Sequence, residues 1–219
     1  MDVFVMIIFF SKNSYFSEVP FRGIVKAKSQ EGGMEEMRDY RAKDILCRYF
    51  IYFMLYSIIG WCYEVFLEVV VYRWGFTNRG VLFGPYCPVY GVGATIFLIL
   101  LYPMLKERTA GRRILLIPVI FLLSMTIATV LELLTSYILE YVSGSWPWQT
   151  YADYRFNFQG RIALSPSLRF GLGGVIFLYL LQPLFEGLCD RLGTSRTNRI
   201  ALAAMVIVGM DCIFTFFLK

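Results

Sequence analysis

The sequence predicts an all-α integral membrane protein with five transmembrane helices, and three observations carry that prediction. Hydrophobic residues make up 58% of the chain and charged residues only 17%; soluble domains average about 45–50% and about 25%. The apolar residues gather into runs of about 18 or more, the length that crosses ~30 Å of hydrocarbon. Lysine and arginine cluster in alternate connections between those runs, as topology in a bilayer requires.

Residues 1–44 are read as a flexible cytoplasmic extension ahead of a transmembrane domain over 45–219. The opening MDVFVMIIFF is too short to span and lacks the basic start of a signal peptide. Residues 1–33 are alternatively a start-site artefact, with Met34 or Met37 as the start. The five expected spans are Ile45–Val71, Pro88–Leu105, Ile114–Tyr141, Leu168–Leu188 and Ile200–Leu218. The first and third exceed the ~20 residues needed, so they should tilt or protrude.

Eight basic residues through Arg48, four in Lys106–Arg113 and three from Arg191 to Arg199 fall on one side. The other side carries Arg73 and Arg79, then Arg155, Arg161 and Arg169, then Lys219. The positive-inside bias therefore puts the N-terminus in the cytoplasm and the C-terminus outside.

Shifting the chain by 80 residues lays the second span on the fourth. Gly91, Gly93, Ile96, Phe97, Leu98, Leu100, Leu101 and Pro103 each meet an identical residue between Gly171 and Pro183. Each copy is preceded by a helix with a glutamate, Glu64 or Glu132. Helices 1–2 and 3–4 are thus expected to form a parallel tandem repeat, an arrangement that places sites at the repeat interface in transport proteins.

Composition removes several chemistries. Without histidine there is no Ser-His-Asp or Cys-His nucleophile system and no histidine-bearing metal site. Cys47, Cys62, Cys87, Cys189 and Cys212 form no C-x-x-C pair, and no G-x-x-x-x-G-K-[ST] phosphate loop occurs. No cofactor and no metal are expected. The positive balance belongs to the membrane flanks, so the expected surroundings are a lipid bilayer and not nucleic acid.

Chemistry is sought where charge lies inside a span, since each such residue costs about 2.5–3.5 kcal/mol at the bilayer centre. These residues are Glu64 and Glu68, one helical turn apart, with Glu132 and Glu140, and Asp211, which is expected near the midplane. Three readings compete: ion pairs with Arg79, Arg161 and Arg73 that pin the outer loops; a polar cavity that binds a cation, a proton or a polar solute; or snorkelling and helix–helix hydrogen bonding. The outer segments are rich in glycine and proline, notably Asn78-Arg79-Gly80 through Gly84-Pro85 to Pro88. Such backbone at membrane depth must be buried in protein or line water. The second outer segment holds Trp146, Trp148, Tyr151 and Tyr154, an aromatic belt or a lid, followed by Asn157 and Gly160-Arg161.

Gly60-Trp61 with Glu64, Asn78-Arg79-Gly80, Gly84-Pro85, Pro88-Val89-Tyr90-Gly91, and Asp153-Tyr154 with Asn157, Gly160 and Arg161 resemble the bacterial family named Putative ABC-transporter type IV, or permease-like, over about residues 45–190. The resemblance implies a multi-pass protein of the bacterial cell membrane and a transport role, with a separate ATPase subunit to supply the missing nucleotide site. The expected function is a permease component with an outward-facing polar cavity. Glu64, Glu68, Asn78, Arg79, Glu132, Asn157, Arg161 and Asp211 are the expected substrate- or ion-binding residues, and a homo-oligomer is compatible. Two alternatives stand beside it: a lipid-handling enzyme at the outer leaflet, and an assembly or regulatory subunit paired through Asp211.

Overall fold

The computed structural model describes residues 31–78, 80–106 and 108–217; Arg79 and most of the N-terminal extension lie outside them. The described residues from Tyr40 onward form one compact unit. Helix α1 runs Glu31–Phe66 and continues through a π-helical turn, Leu67–Val71. It is followed by α2 (Pro88–Leu100), α3 (Tyr102–Leu105), α4 (Ala110–Leu115) and α5 (Ile117–Ser143). A 3₁₀ turn (Gln149–Asp153) and a two-stranded hairpin, β1 (Asn157–Phe158) and β2 (Ile162–Ala163), lead into α6 (Leu164–Ile176). A second π turn (Phe177–Leu181) joins α6 to α7 (Gln182–Leu192), and α8 (Thr194–Phe217) completes the order.

Four helical stretches are long and apolar enough to cross a membrane: Arg41–Val71, Ile117–Ser143, Leu164–Leu192 and Thr194–Phe217. The last has a mean hydropathy of 2.3, yet the rest of the chain buries only 6% of its most apolar window. A face of that kind is stable only against hydrocarbon. The expected second span, Pro88–Leu105, is instead broken at Leu101 into α2 and α3. Pro103 explains the break: its missing N–H leaves the Ile99 carbonyl without its helical donor.

Pro183 has the same consequence in the fourth span and a different remedy. The chain widens into a π turn, so that the Gln182 N–H reaches the Phe177 carbonyl. That carbonyl also accepts a bond from the Tyr56 hydroxyl at 3.2 Å, which ties α1 to the bulge. Around it sit Tyr56, Leu105, Ile120, Leu178 and Gln182, all fully buried.

Close approach between α1 and α2 depends on Gly91, where an added Cβ would meet the Ser57 hydroxyl and the Phe53 backbone carbonyl. Gly171 faces the Phe121 ring of α5 in the same way. Phe53 precedes Glu64 by eleven residues, and Phe121 precedes Glu132 by eleven.

Candidate functional site

The two long connections, 72–87 and 144–163, are held by polar side chains from the helices. Glu68, only 3% exposed, accepts bonds from the Thr77 hydroxyl at 2.6 Å and the Thr77 N–H at 3.3 Å. Its neighbour one turn earlier, Glu64, accepts from the Tyr90 hydroxyl of α2. Asn78 works as a splint: its carbonyl oxygen takes the Trp61 indole N–H at 2.8 Å, and its amide donates to the Phe83 carbonyl at 2.9 Å.

Asp211 closes this connection from the last helix. Its carboxylate accepts the backbone N–H groups of Phe83 at 3.0 Å and Gly84 at 2.9 Å, and the hydroxyl of Tyr86. Thr215 adds a bond at 3.2 Å. Because α8 begins at Thr194, well before the apolar run, Asp211 stands about 26 Å along the helix at ~1.5 Å per residue. That length carries it to the level of the first long connection. Burial, and then the bond to Asp211, hold the Tyr86 hydroxyl well above the ordinary tyrosine range.

The second connection is organised around Arg161, which is 7% exposed. Gln159 and Gly160 both have positive φ, 56° and 64°, and the Arg161 N–H closes the turn on the Phe158 carbonyl at 3.0 Å. Two successive left-handed residues are what a tight hairpin turn demands. The turn sends the Arg161 guanidinium back onto α5. There it pairs with Glu140, donates to Ser136 Oγ at 3.4 Å, and lies 4.2 Å and 4.0 Å from the ring centroids of Tyr137 and Trp146. Trp148 donates its indole N–H to the Arg161 carbonyl at 2.9 Å. Asn157 folds the hairpin approach, donating to the Tyr154 carbonyl at 2.7 Å and accepting from the Gly160 N–H at 2.9 Å.

The expected pairing of arginine with the deeper acids takes another form. Arg161 meets Glu140, about 12 Å further along α5 than Glu132 at ~1.5 Å per residue. Glu132 instead accepts from the Tyr151 hydroxyl at 3.0 Å, and its Oε2 is buried with no hydrogen-bond partner among the described residues. Burial, and then the Glu132 charge, raise the Tyr151 hydroxyl above its ordinary range. Arg79 lies outside the described residues.

Tyrosine thus serves as donor to three of the acids singled out from the sequence, Glu64, Glu132 and Asp211. Shallow, open depressions lie on the surface, among them one of about 230 Å³ along the hairpin and one of about 340 Å³ lined by Met104, Arg108, Arg112, Leu115 and Leu116. Neither is lined by the acids. Among the described residues no group of three acidic or cysteine side chains is placed to hold a metal.

The opposite end of the helices carries a cluster that the hydropathy reading did not single out. Arg48 donates to the Tyr52 hydroxyl at 2.5 Å, to Asp190 at 2.7 Å and to the Glu186 carbonyl at 3.2 Å. Tyr102 of α3 donates to the Glu186 carboxylate at 2.8 Å, and Asn198 of α8 to Asp44 at 2.6 Å. Tyr56 reaches Gln182 at 3.2 Å. The signal was available: Arg48, Tyr52 and Tyr56 recur every four residues, one polar stripe on one helix face.

Long apolar helices, irregular connections folded back on them and acids answered from within the chain define a polytopic integral membrane protein. More particularly, the chain belongs to the family described as Putative ABC-transporter type IV, whose model matches residues 51–216. No curated protein and no solved structure matches it.

Proposed function

We propose that the chain is the membrane-spanning permease component of a transport system, seen with its outer side closed. The observation behind this reading is the Asp211 latch: a carboxylate in an apolar helix takes two backbone N–H groups and a hydroxyl from the glycine- and proline-bearing segment. Glu68, Asn78, Glu132, Asn157 and Arg161 fasten the two connections at further points, and Glu64 ties α1 to the first turn of α2 beside them. The distribution of lysine and arginine makes these connections extracytoplasmic, with the C-terminus on that side. Lifting them would open a polar, carboxylate-lined path from outside.

A parallel repeat would put a path between two halves. Gly91 over Phe53 and Gly171 over Phe121 are equivalent packings, each set eleven residues from its glutamate. Energy would come from a separate ATPase subunit docking at the cytoplasmic ends of the helices, at Lys106–Arg113 and at the turn on Gly193 between α7 and α8. Asp211 is answered within the chain, which weighs against its serving to pair with an assembly partner.

The test uses Cys87, which is 4% exposed at the end of the first connection, as the sole cysteine. Intact cells are treated with a membrane-impermeant maleimide, with Glu64→Gln and Asp211→Asn compared against the parent. The gate reading expects slow labelling of the parent and markedly faster labelling of both variants, at equal amounts of folded protein. Efflux from proteoliposomes loaded with a mixed metabolite pool should rise in parallel. Unchanged labelling together with a lowered melting temperature would leave the acids purely structural.

A further inference from the structure

At the end of the helices opposite the latch, the connection between α3 and α5 carries arginines with different commitments. The Arg113 guanidinium donates to the Leu105 carbonyl at 3.2 Å, and the Arg113 carbonyl accepts the Tyr179 hydroxyl at 2.6 Å. That arginine fastens the connection. Arg108 and Arg112 are exposed and have no acidic partner among the described residues. They line the depression of about 340 Å³ together with Met104, Leu115 and Leu116. Leu115 is 77% exposed and its neighbour Ile114 65% exposed, one turn before the membrane-crossing helix α5 begins at Ile117.

We propose that this groove is a binding site for an anionic phospholipid of the inner leaflet. The headgroup phosphate would sit between Arg108 and Arg112, with an acyl chain along Met104, Leu115 and Leu116. The placement on the inner leaflet rests on the orientation argued above; the groove itself does not. A guanidinium pair supplies the donors that a phosphate diester accepts. Two cations at the edge of a span, over an apolar floor, match a ligand that is charged at one end and hydrocarbon at the other. A soluble phosphate would leave the exposed leucines uncovered, and an acidic protein surface would leave them facing charge.

The experiment titrates the detergent-solubilised full chain with dioleoyl-phosphatidylglycerol, dioleoyl-phosphatidylcholine and inorganic phosphate, and counts bound molecules by native mass spectrometry. The parent should prefer phosphatidylglycerol. Arg108→Gln/Arg112→Gln should weaken phosphatidylglycerol binding about 25-fold, about fivefold per basic residue, and erase the preference over phosphatidylcholine. Leu115→Ser should weaken both lipids, and Arg196→Gln/Arg199→Gln should leave the preference intact. Melting temperature without added lipid identifies a variant that fails to fold, in which case Leu115→Ser carries the test. The proposal is overturned if the arginine variant keeps its preference, if the parent shows none, or if inorganic phosphate binds the parent as well as the lipid does.

Discussion

Replacing Asp211 with alanine removes one acceptor group and leaves four donors behind: the N–H groups of Phe83 and Gly84, the Tyr86 hydroxyl and the Thr215 hydroxyl. Thr215 lies on the same helix and can turn to the backbone. The other three belong to the first long connection. A hydrogen bond to a charged group contributes about 1.5–3 kcal/mol net. Asp211 is half-buried, so the lower figure applies, and water can satisfy one of the released donors. Two bonds at the lower bound give about 3 kcal/mol of local destabilisation. Each 1.4 kcal/mol is a tenfold change in an opening equilibrium, so exchange at Phe83 and Gly84 should accelerate about 100-fold or more. Hydrogen–deuterium exchange with mass spectrometry, on a peptide spanning 80–87, reads that number directly. Peptides from α5 and α6 should stay within about twofold of the parent, because their fastenings do not involve Asp211. If the 80–87 peptide exchanges at the parental rate, the carboxylate does not hold the connection, and the latch falls with it.

Three further outcomes are expected. Gly91→Ala should lose about 1–3 kcal/mol in detergent unfolding, because the new methyl meets a backbone carbonyl of α1; Gly93→Ala, with nothing within 4 Å, should lose none. Arg161→Lys keeps the charge but gives up the planar contact with Tyr137 and Trp146, and should lower stability by about 1–2 kcal/mol; an unchanged unfolding midpoint would contradict the ring contacts. The raised Tyr86 hydroxyl contributes stability that is fully present below about pH 10, the ordinary tyrosine value, and that is lost as pH rises through its higher folded value. Protection at 80–87, taken relative to the intrinsic base-catalysed exchange rate at each pH, should therefore fall in strong alkali in the parent, and Tyr86→Phe should remove that fall.

What the sequence made legible follows from what hydropathy measures. Apolar runs mark the stretch a bilayer must cover, so the membrane class and four of the spans could be read directly. Helix length is a different quantity. Thr194-Ser195-Arg196-Thr197-Asn198-Arg199 is polar and yet helical, because a helix may protrude from lipid into water. That extra turn and a half lengthens α8 without moving Asp211 along its apolar run; what hydropathy could not reveal is the connection that Asp211 holds. Pro103 was visible as a repeat position, but its effect on backbone hydrogen bonding breaks the second span at Leu101. The hairpin was hidden in four residues whose only signal is Gln159-Gly160 between short strands. Tyrosine escaped notice as the partner of the acids because a search for charge looks for opposite charge, whereas a half-buried carboxylate needs only a donor. The Arg48 cluster was missed for a related reason: its arginine had been counted for topology, and a residue can serve both purposes.

The competing readings of the intramembrane acids, structural or functional, rest on a distinction that the geometry of Asp211 weakens. A segment bounded by Gly80, Gly84, Pro85 and Pro88 cannot satisfy its own amides by forming a helix, and unsatisfied N–H groups at membrane depth cost several kcal/mol each. An acceptor from a neighbouring helix resolves this, at the expense of keeping a carboxylate in an otherwise apolar helix. The carboxylate and the amides thus make each other tolerable, and only while they touch. An aliphatic contact would hold the segment with no such dependence, since hydrophobic packing degrades gradually as surfaces separate. A polar clasp has two states, engaged or hydrated, and hydration needs water to enter behind the segment. On the proposed permease reading, stability of the closed state and the means of opening it would reside in the same atoms, and a variant that loosens the clasp without unfolding the helices is the one that separates a gate from a strut.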